Sequence, residues 1–330
     1  SYISDFGQNG TYSLGKGGLD INGSAKLVNN TFSKIRTIAF YSNNFTFENN
    51  IFNDSLIDGS YIYLVGIENV TLNKNYFYVP TNTTNKDVIH IENSTNITIK
   101  DNNLYIIGLT VNGLKTVFSK NLTVYNNFIN ATSSQKPIVF LYTNFSNLSY
   151  NNLSATLVIM EFTNSSSNLI SDTNLTRGNS NSFTLIDSYY NFISRIHINS
   201  TYGSISFTSS HNNTVSDSSL YANSIVLELK DSSDNYFDNI RTVSIGIGGN
   251  STKIHGSSTN NKIANSILNT TRGSAIFSSA GYNYFINDTF NQTSNSVSGD
   301  GIVAVQWYLD TNVTYSNNTF AVNSNVTTYN

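Results

Sequence analysis

The chain has no cysteine, and 2 of its 330 residues are proline. The absence of cysteine excludes disulfides, thiolate metal ligands and a cysteine nucleophile. The scarcity of proline leaves strand ladders almost uninterrupted. Charge is also sparse, since 11% of the residues are charged and the formal net charge is −3, against a usual charged fraction of about a quarter. The basic residues are scattered, so we expect no nucleic-acid partner.

Long hydrophobic runs are missing as well. No apolar run approaches the roughly 18–20 residues that cross a bilayer, so no membrane span is predicted. The chain is nevertheless 38% hydrophobic and 13% aromatic, which is enough for a core and argues against disorder. Its polarity is carried by Asn, Ser and Thr, which hydrogen-bond without counter-charges.

A short motif recurs along the chain: an asparagine, three residues that alternate apolar, polar and apolar, then further asparagine and apolar residues. One copy is Asn121-Leu122-Thr123-Val124-Tyr125-Asn126-Asn127-Phe128-Ile129. The leading asparagines recur at about 24 residues, and a period of about 20–50 residues indicates a repeat architecture. We predict that they form one structural ladder: Asn44, Asn69, Asn96, Asn121, Asn147, Asn168, Asn191, Asn213, Asn235, Asn261, Asn283 and Asn312.

Each repeat holds a second strand before the next leading asparagine, as at Tyr61-Ile62-Tyr63-Leu64-Val65 and Val88-Ile89-His90-Ile91. Two or three short strands per repeat predict an all-β fold, a single-stranded parallel β-helix (solenoid) of about 12 coils with about 24 residues per coil. Equivalent residues of successive coils then stack about 4.8 Å apart. Residues 1–24 are predicted to be an N-terminal strand and cap, and residues 25–330 the β-helix, as a single domain overall.

This pattern resembles the pectate-lyase-like right-handed parallel β-helix family, with its degenerate β-helix repeats, over about residues 25–322. The resemblance implies a right-handed coil. Its members include lyases, hydrolases, tailspikes, adhesins and structural proteins, so the fold alone does not fix the function. The family's pectin-hydrolase signatures are missing. His255-Gly256 lacks the first glycine of Gly-His-Gly, and Arg195-Ile196-His197 ends in the wrong residue for Arg-Ile-Lys.

One charged column is a candidate site. Asp172, Arg195 and Asp217 occupy matching positions in successive coils. The two carboxylates lie two coils apart, about 9.6 Å, near the separation found in inverting glycosidases. The alternative is an Asp-Arg-Asp stack that neutralises itself on the surface. We therefore predict no catalytic residue and keep these three as candidates for an enzyme only.

Metal sites have weak support in the sequence. Asp231 with Asp234, and Asp54 with Asp58, place paired carboxylates in turns, but Ca²⁺ takes six to eight oxygen ligands. The histidines lie in distant coils without metal-ligand spacing: His90, His197, His211 and His255. We predict no metal and no cofactor, with Ca²⁺ as the alternative.

Asn-x-Ser/Thr sequons, the acceptors of N-linked glycans, recur along the chain. Some sequons follow from the repeat itself, because a turn asparagine that precedes an alternating strand, such as Asn69 before Val70 and Thr71, also matches Asn-x-Ser/Thr. For the rest we expect N-linked glycans, and the alternative is coincidence in a chain rich in Asn and Thr. The predicted sites are Asn9, Asn22, Asn29, Asn53, Asn82, Asn93, Asn130, Asn164, Asn199, Asn250, Asn269, Asn291 and Asn325.

Together these patterns predict a non-enzymatic, heavily N-glycosylated extracellular or cell-surface protein, such as an archaeal S-layer-like, adhesin or filament subunit. The open ends of a solenoid invite pairing with another chain. We therefore expect copies of the same chain as partners, through end-to-end or donor-strand contacts, and surface glycans as further ligands. The alternative is a carbohydrate-active β-helix: a polysaccharide lyase or hydrolase, or a tailspike-like glycan-binding protein.

Overall fold

The structure, a computed structural model, describes residues 11–15, 18–22, 26–33, 38–40, 43–53, 60–80, 87–107, 112–132, 136–290 and 295–307. All regular secondary structure in these ranges is β-strand. The chain winds as a β-solenoid of about 11 turns with about 23 residues per turn, which confirms the predicted fold class. Within the same ranges no helix is long and apolar enough to cross a membrane.

Each turn contributes one strand to each of three parallel sheets, in the order sheet 1, sheet 2, sheet 3. Sheet 1 contains β1 (Thr11–Gly15), β2 (Gly18–Asn22), β5 (Ile38–Phe40), β8 (Ile62–Val65), β11 (Ile89–Glu92), β14 (Leu114–Val117), β17 (Ile138–Leu141), β20 (Met160–Thr163), β23 (Asn181–Ile186), β26 (Gly203–Thr208), β29 (Leu227–Lys230), β32 (Thr252–His255), β35 (Ile276–Ser278) and β38 (Ser296–Val297).

Sheet 2 contains β3 (Lys26–Val28), β6 (Thr46–Glu48), β9 (Glu68–Asn73), β12 (Thr95–Lys100), β15 (Thr123–Tyr125), β18 (Asn147–Ser149), β21 (Leu169–Ser171), β24 (Phe192–Ser194), β27 (Thr214–Ser216), β30 (Tyr236–Asp238), β33 (Lys262–Ala264), β36 (Tyr282–Ile286) and β39 (Ile302–Gln306). Sheet 3 contains β4 (Thr31–Ser33), β7 (Ile51–Asn53), β10 (Tyr76–Val79), β13 (Asn103–Ile106), β16 (Phe128–Ala131), β19 (Asn152–Ala155), β22 (Asn174–Thr176), β25 (His197–Asn199), β28 (Ser219–Ala222), β31 (Arg241–Ser244), β34 (Ile267–Thr270) and β37 (Thr289–Phe290).

One antiparallel pair lies at the N-terminal end of sheet 1. Strand β1 pairs with β2 from Thr11 opposite Asn22 to Gly15 opposite Gly18, and β2 then pairs in parallel with β5. The strand predicted in residues 1–24 is therefore one arm of a hairpin. The domain boundary at residue 24 stays a prediction.

The core fills the space between the three sheets with columns of apolar side chains that stack from coil to coil. Phe45, Val70 and Ile97 are buried in one such column. The rings of Phe52 and Phe77 stack in another, with centroids 4.5 Å apart and planes at 9°. Since successive coils repeat every strand in register, similar side chains meet each other along the rod and pack at interior density.

Left-handed residues bend the chain at its corners. Two lie between sheets 1 and 2 and a third between sheets 2 and 3; φ is +55° at Asn121 and +51° at Asn126. Asparagine is enriched where φ is positive because its short polar side chain tolerates this conformation. The recurrent motif is thus one short strand, here β15, held between two left-handed corner residues.

A buried ladder of side chains follows the corner between sheets 2 and 3. The bend takes a backbone N–H out of the strand pairing, so a buried donor needs another partner. The Asn75 N–H donates to Asn102 Oδ1 at 2.9 Å, and the Asn102 N–H donates to Asn127 Oδ1 at 3.0 Å. The buried asparagines of this ladder are Asn30, Asn50, Asn75, Asn102, Asn127 and Asn151.

The predicted single ladder of leading asparagines is wrong, because it merges two columns that the structure separates. Exposed asparagines with positive φ form one of them, in which Asn69 Nδ2 donates to Asn44 Oδ1 at 3.2 Å; its members are Asn44, Asn69, Asn96 and Asn121. Buried asparagines one residue further on form the other, where they accept corner N–H groups: Asn168, Asn191, Asn213, Asn235, Asn261 and Asn283.

Two of the predicted ladder residues fall in neither column. Asn147 lies in β18 opposite Thr123, and Asn312 lies outside the described residues. The physical reason for the error is that in later coils the left-handed corner position holds other residues, such as Phe145 and Tyr190, while asparagine moves to the inward position.

The two kinds of asparagine should differ in their contribution to stability. We expect Asn102→Ala to lower the free energy of unfolding by about 2–4 kcal/mol, because it leaves buried donors and acceptors unsatisfied. Asn96→Gly, which removes an exposed amide but keeps positive φ accessible, should cost about 0.5–1 kcal/mol. Urea unfolding followed by circular dichroism measures both. Equal losses for the two variants would contradict the assignment of the buried ladder between sheets 2 and 3 as more stabilising than the exposed column.

Asp288 lies at the C-terminal end of the ladder between sheets 2 and 3, at the position where earlier coils hold asparagines such as Asn102. Its Oδ1 accepts the Ser266 N–H at 2.7 Å. Its Oδ2 is buried without a hydrogen-bond partner in the structure as described. Burial raises the pKa of this carboxyl to about 7.

Stability should therefore depend on pH through Asp288. Below about pH 4 the carboxyl is protonated in both states; between about pH 4 and 7 the unfolded chain releases the proton while the folded chain keeps it, so stability falls as pH rises. Because the pKa of Asp288 rises from its usual value of about 4 to about 7, the loss of stability is at most about 4 kcal/mol. We expect Asp288→Asn to raise the unfolding midpoint at pH 8 and to leave it almost unchanged at pH 3.5. A variant that gains equally at both pH values would show that the charge of Asp288 is not the cause.

Candidate active site on sheet 1

The outward face of sheet 1 carries a column of polar and ionisable side chains. Strand alternation points Ile89 and Ile91 into the core and His90 outward. Register pairing then places one outward residue per coil in a single line: Tyr63, His90, Lys115, Val139, Glu161, Thr184, Ser206, Glu228, Lys253 and Phe277. The concentration of ionisable groups on this line stands out in a chain that is 11% charged.

His90 lies at the centre of one group on this face. Its Nδ1 is 2.7 Å from Asp87 Oδ2, and its Nε2 is 3.6 Å from Glu92 Oε2. The Tyr63 hydroxyl donates to the same Glu92 oxygen at 3.4 Å, and the Tyr63 and His90 ring centroids are 5.0 Å apart. Lys115 Nζ lies 3.9 Å from Asp87 Oδ2. We call these five residues the His90 cluster.

Asp87 orients the imidazole. It is buried, and its second oxygen accepts a hydrogen bond from Asn112 Nδ2 at 2.7 Å. Because an ionised carboxylate only accepts, the hydrogen bond places a proton on His90 Nδ1. In the neutral ring, Nε2 is then the basic nitrogen, on the side of Glu92 and Tyr63. The arrangement presents a histidine base, a phenol and a carboxylate within reach of one another.

A second polar group lies further along the same face. Glu228 Oε1 is 3.1 Å from His255 Nε2 and 3.5 Å from Lys253 Nζ. Asn181 and Ser206 lie 3.5 Å from its other oxygen. From His90 to Lys253 the column covers seven register steps, or about 34 Å at 4.8 Å each. The face therefore has the length to contact several units of a polymer.

A separate groove of about 740 Å³ lies at the corner between sheets 3 and 1. Its lining includes Arg177, Asn179 and Thr201, and no carboxylate or histidine. This groove therefore offers neither of the side-chain types, carboxylate and imidazole, that the face of sheet 1 brings together.

The predicted column Asp172, Arg195 and Asp217 lies at the left-handed corner between sheets 2 and 3. Arg195 Nε and Nη2 donate to the two oxygens of Asp172 at 2.7 and 2.8 Å. The hydrogen bond from Arg195 lowers the pKa of Asp172, and the same bond raises the pKa of Arg195. Asn239 Nδ2 donates to Asp217 Oδ1 at 2.8 Å. Both aspartates are therefore engaged in contacts along the rod axis, and their role as enzyme candidates stays a prediction.

The carboxylates weighed for Ca²⁺ are separate. Asp231 Oδ1 accepts the Ser257 N–H at 2.9 Å, and this backbone hydrogen bond lowers the pKa of Asp231. Asp234 instead accepts a hydrogen bond from the Asn260 amide. Asp54 and Asp58 lie outside the described residues. Among the residues described, no three His, Cys, Asp or Glu side chains are grouped to hold a metal ion.

The remaining histidines lie apart from the His90 cluster. His255 contacts Glu228, as given above. His197 lies in sheet 3 with its ring 6.1 Å from that of Tyr221. His211 Nδ1 accepts the Ser233 N–H at 2.9 Å.

The predicted glycosylation sites are spread over corners and sheet 3. The outward column of sheet 3 carries four of them, Asn53, Asn130, Asn199 and Asn269. Corners hold Asn29, Asn93, Asn164 and Asn250, and Asn22 ends β2. Asn9, Asn82, Asn291 and Asn325 lie outside the described residues. Their occupancy stays a prediction.

No family model matches the chain, and no curated protein matches it in sequence. Solved structures do share its fold. The A-module of the mannuronan C-5 epimerase AlgE6 of Azotobacter vinelandii aligns with a TM-score of 0.57 at 10% identity, over 88% of this chain and 91% of that chain. The periplasmic alginate epimerase AlgG gives 0.53 at 11% identity, over 90% and 78%. DFA-IIIase from Arthrobacter chlorophenolicus, without its lid, gives 0.54 at 11%, over 81% and 75%.

These similarities show the right-handed parallel β-helix; membership of the pectate-lyase-like family is not shown. They also correct one prediction from the sequence. The non-enzymatic interpretation is contradicted, because the structures that share this fold are mostly enzymes of carbohydrate chemistry. It depended on missing signatures of pectin hydrolases, and it overlooked the His90 cluster.

The role of Asp87 can be tested without a substrate. We expect the neutral His90 ring to carry its proton on Nδ1, and Asp87→Asn to shift it toward a mixture of tautomers, since an amide holds this proton less strongly than a carboxylate. Nitrogen chemical shifts of labelled histidine measure this, with His197 as an internal control. A wild-type ring protonated on Nε2 would contradict the assignment.

Proposed function

We propose that this protein is a carbohydrate-active enzyme that acts on a polysaccharide by general acid–base catalysis at the His90 cluster. The observation that carries the proposal is the imidazole of His90, oriented by buried Asp87 and placed beside Glu92 and Tyr63 on an open sheet face. Histidine and tyrosine side chains are common proton donors and acceptors in catalysis.

The arrangement favours proton abstraction from a sugar over hydrolysis. Glycosidases use two carboxylates that flank the scissile bond. Here Asp87 is buried and occupied by His90 and Asn112, so Glu92 is the only carboxylate of the cluster that can face a substrate. His90 Nε2 can instead remove a proton from a ring carbon, and the Tyr63 hydroxyl can supply one.

A uronic acid polymer is the substrate class that fits this chemistry. The C–H bond next to the carboxylate is the most acidic C–H bond of the ring, and the Lys115 ammonium offers a positive charge that can neutralise that carboxylate. The reaction is then elimination, if the C–O bond on the neighbouring ring carbon breaks and its oxygen leaves with a proton from the Tyr63 hydroxyl. It is epimerisation, if the same carbon regains a proton on its opposite face. The epimerases of mannuronan and alginate that share the fold support the same class.

A polymeric substrate suits the length of the sheet 1 face and an extracellular or cell-surface location. The predicted glycans at Asn53, Asn130, Asn199 and Asn269 would extend from sheet 3. Glycans on that sheet would leave the face of sheet 1 open. Extracellular action and N-glycosylation are therefore compatible parts of the proposal.

Alginate and polygalacturonate are the first substrates to test. We expect His90→Gln and Tyr63→Phe each to lower kcat by about 10²–10⁴-fold, since His90 takes the proton and the Tyr63 hydroxyl supplies one. Ultraviolet absorbance of unsaturated uronate ends detects elimination, proton NMR of the polymer detects epimerisation, and reducing ends without unsaturation detect hydrolysis.

His197→Gln and Asp172→Asn are the matched controls, a histidine and an aspartate outside the cluster, and both should keep full activity. Thermal unfolding checks that every variant is folded. Wild-type protein inactive on both polymers would argue against the proposed function. So would activity lost in Asp172→Asn but kept in His90→Gln.

A further inference from the structure

Aromatic side chains occupy left-handed backbone positions at the corner between sheets 1 and 2. At the first left-handed position of this corner, φ is +48° at Phe118 and +51° at Tyr142. A bulky side chain is unfavourable there. Other coils place tolerant residues at this position: Gly66, Asn93, Asn164, Asp187, Ser209, Asp231 and Gly256. Folding alone therefore does not account for the two rings.

The second left-handed position, three residues later, shows the same departure. Phe145 and Tyr190 have φ of +55° and +56°. Other coils have small or amide-bearing residues and aspartate there: Asn44, Asn69, Asn96, Asn121, Ser167, Asn212, Asp234 and Asn260. Phe118, Tyr142 and Phe145 lie in two successive coils, and we call them the aromatic corner.

The rings of the aromatic corner face solvent. Phe118 is 57% exposed, Tyr142 47% and Phe145 64%. The Phe118 and Tyr142 rings stack with centroids 4.7 Å apart and planes at 18°. Stacked phenylalanines such as Phe140 and Phe162 are fully buried in the core. This pair instead presents flat apolar surface at the outside of the rod, and exposed apolar surface marks binding sites.

The aromatic corner lines a groove of about 480 Å³ together with polar residues. Glu68, Asn93, Lys120 and Asn144 are among them. A sugar ring has an apolar C–H face and an edge of hydroxyl groups. Aromatic rings beside amide, ammonium and carboxylate groups match both parts of such a ligand.

The groove adjoins the His90 cluster. Phe118 follows Lys115 by three residues at the end of β14, and Asn93 directly follows Glu92 at the end of β11. We propose that the aromatic corner binds sugar rings of the polysaccharide outside the reacting unit, by stacking. The choice of polysaccharide as ligand rests on the proposed function, whereas binding itself is measured without turnover.

The test replaces the three rings by the residue that other coils use at these positions. In the triple variant Phe118→Asn, Tyr142→Asn and Phe145→Asn, positive φ remains accessible, and the sequence gains no new Asn-x-Ser/Thr sequon. Affinity electrophoresis in gels that contain alginate or polygalacturonate measures binding. We expect about tenfold weaker binding of the polymer, a similar rise in KM for the polymer, and an unchanged kcat.

Tyr150→Asn is the matched control. Tyr150 is exposed and left-handed like the aromatic corner, with φ of +56°, but it lies at the corner between sheets 2 and 3. The Tyr150→Asn variant should bind both polymers as tightly as the wild-type protein does. Equal binding by the triple variant and wild type would overturn the proposal, as would wild-type protein that neither gel retards. Loss of self-association in sedimentation equilibrium, with polymer binding kept, would also overturn it and assign the rings to contacts between copies.

The two proposals fail in different ways. His90→Gln should lose turnover and keep polymer binding. Wild-type binding without turnover would argue against the proposed reaction and leave the aromatic corner supported. An unchanged kcat/KM for the polymer in the triple variant would argue against the aromatic corner and leave the proposed reaction supported.

Discussion

The structure depends on how backbone N–H groups are satisfied at its corners. Each coil turns sharply at left-handed residues, and each bend removes an N–H group from the strand ladders. Side chains of the following coil accept these bonds, as Asn102 does from Asn75 and Ser210 does from Ser188. A chain with no cysteine is held by packing and by these ladders, which explains why its polarity resides in Asn, Ser and Thr rather than in charge.

Because the corners hold each coil in a fixed position, they also fix the register between strands of successive coils. That register determines which side chains lie next to one another on the outer faces of the sheets. An outward residue on sheet 1 contributes little to the core, so its identity is open to selection for chemistry. Tyr63, His90 and Lys115 come from three coils but lie in adjacent strands. Asp87, at the corner before β11, orients His90 from a buried position. A catalytic group on a strand with a buried supporting residue is held more rigidly than one on a loop.

The coil architecture was predictable because the corner residues and the alternating strands repeat with one period. The register of the asparagine ladder was not predictable, because asparagine occurs both at the exposed left-handed position, as in Asn96, and at the buried inward position, as in Asn168. The His90 cluster was missed because Tyr63 and Lys115 lie about 25 residues from His90 along the chain and meet it only through strand pairing. Its visible signal was Asp87 three residues before His90, at the outward phase of an alternating strand.

On a repeating scaffold, a residue is better judged against its column than against its neighbours in sequence. Asp172 and Arg195 differ from the asparagines of their column. Where two asparagines form a side-chain hydrogen bond between successive coils, Arg195 and Asp172 form an ion pair, and in both cases the residue of the later coil is the donor. Their departure therefore preserves the structural role of the column. Phe118 and Tyr142 depart from Asn93 and Asn164 without supplying any polar contact along the rod, and they retain an unfavourable φ. Their mutual stacking offsets part of this backbone cost but leaves the rings exposed, and selection for a ligand accounts for that exposure.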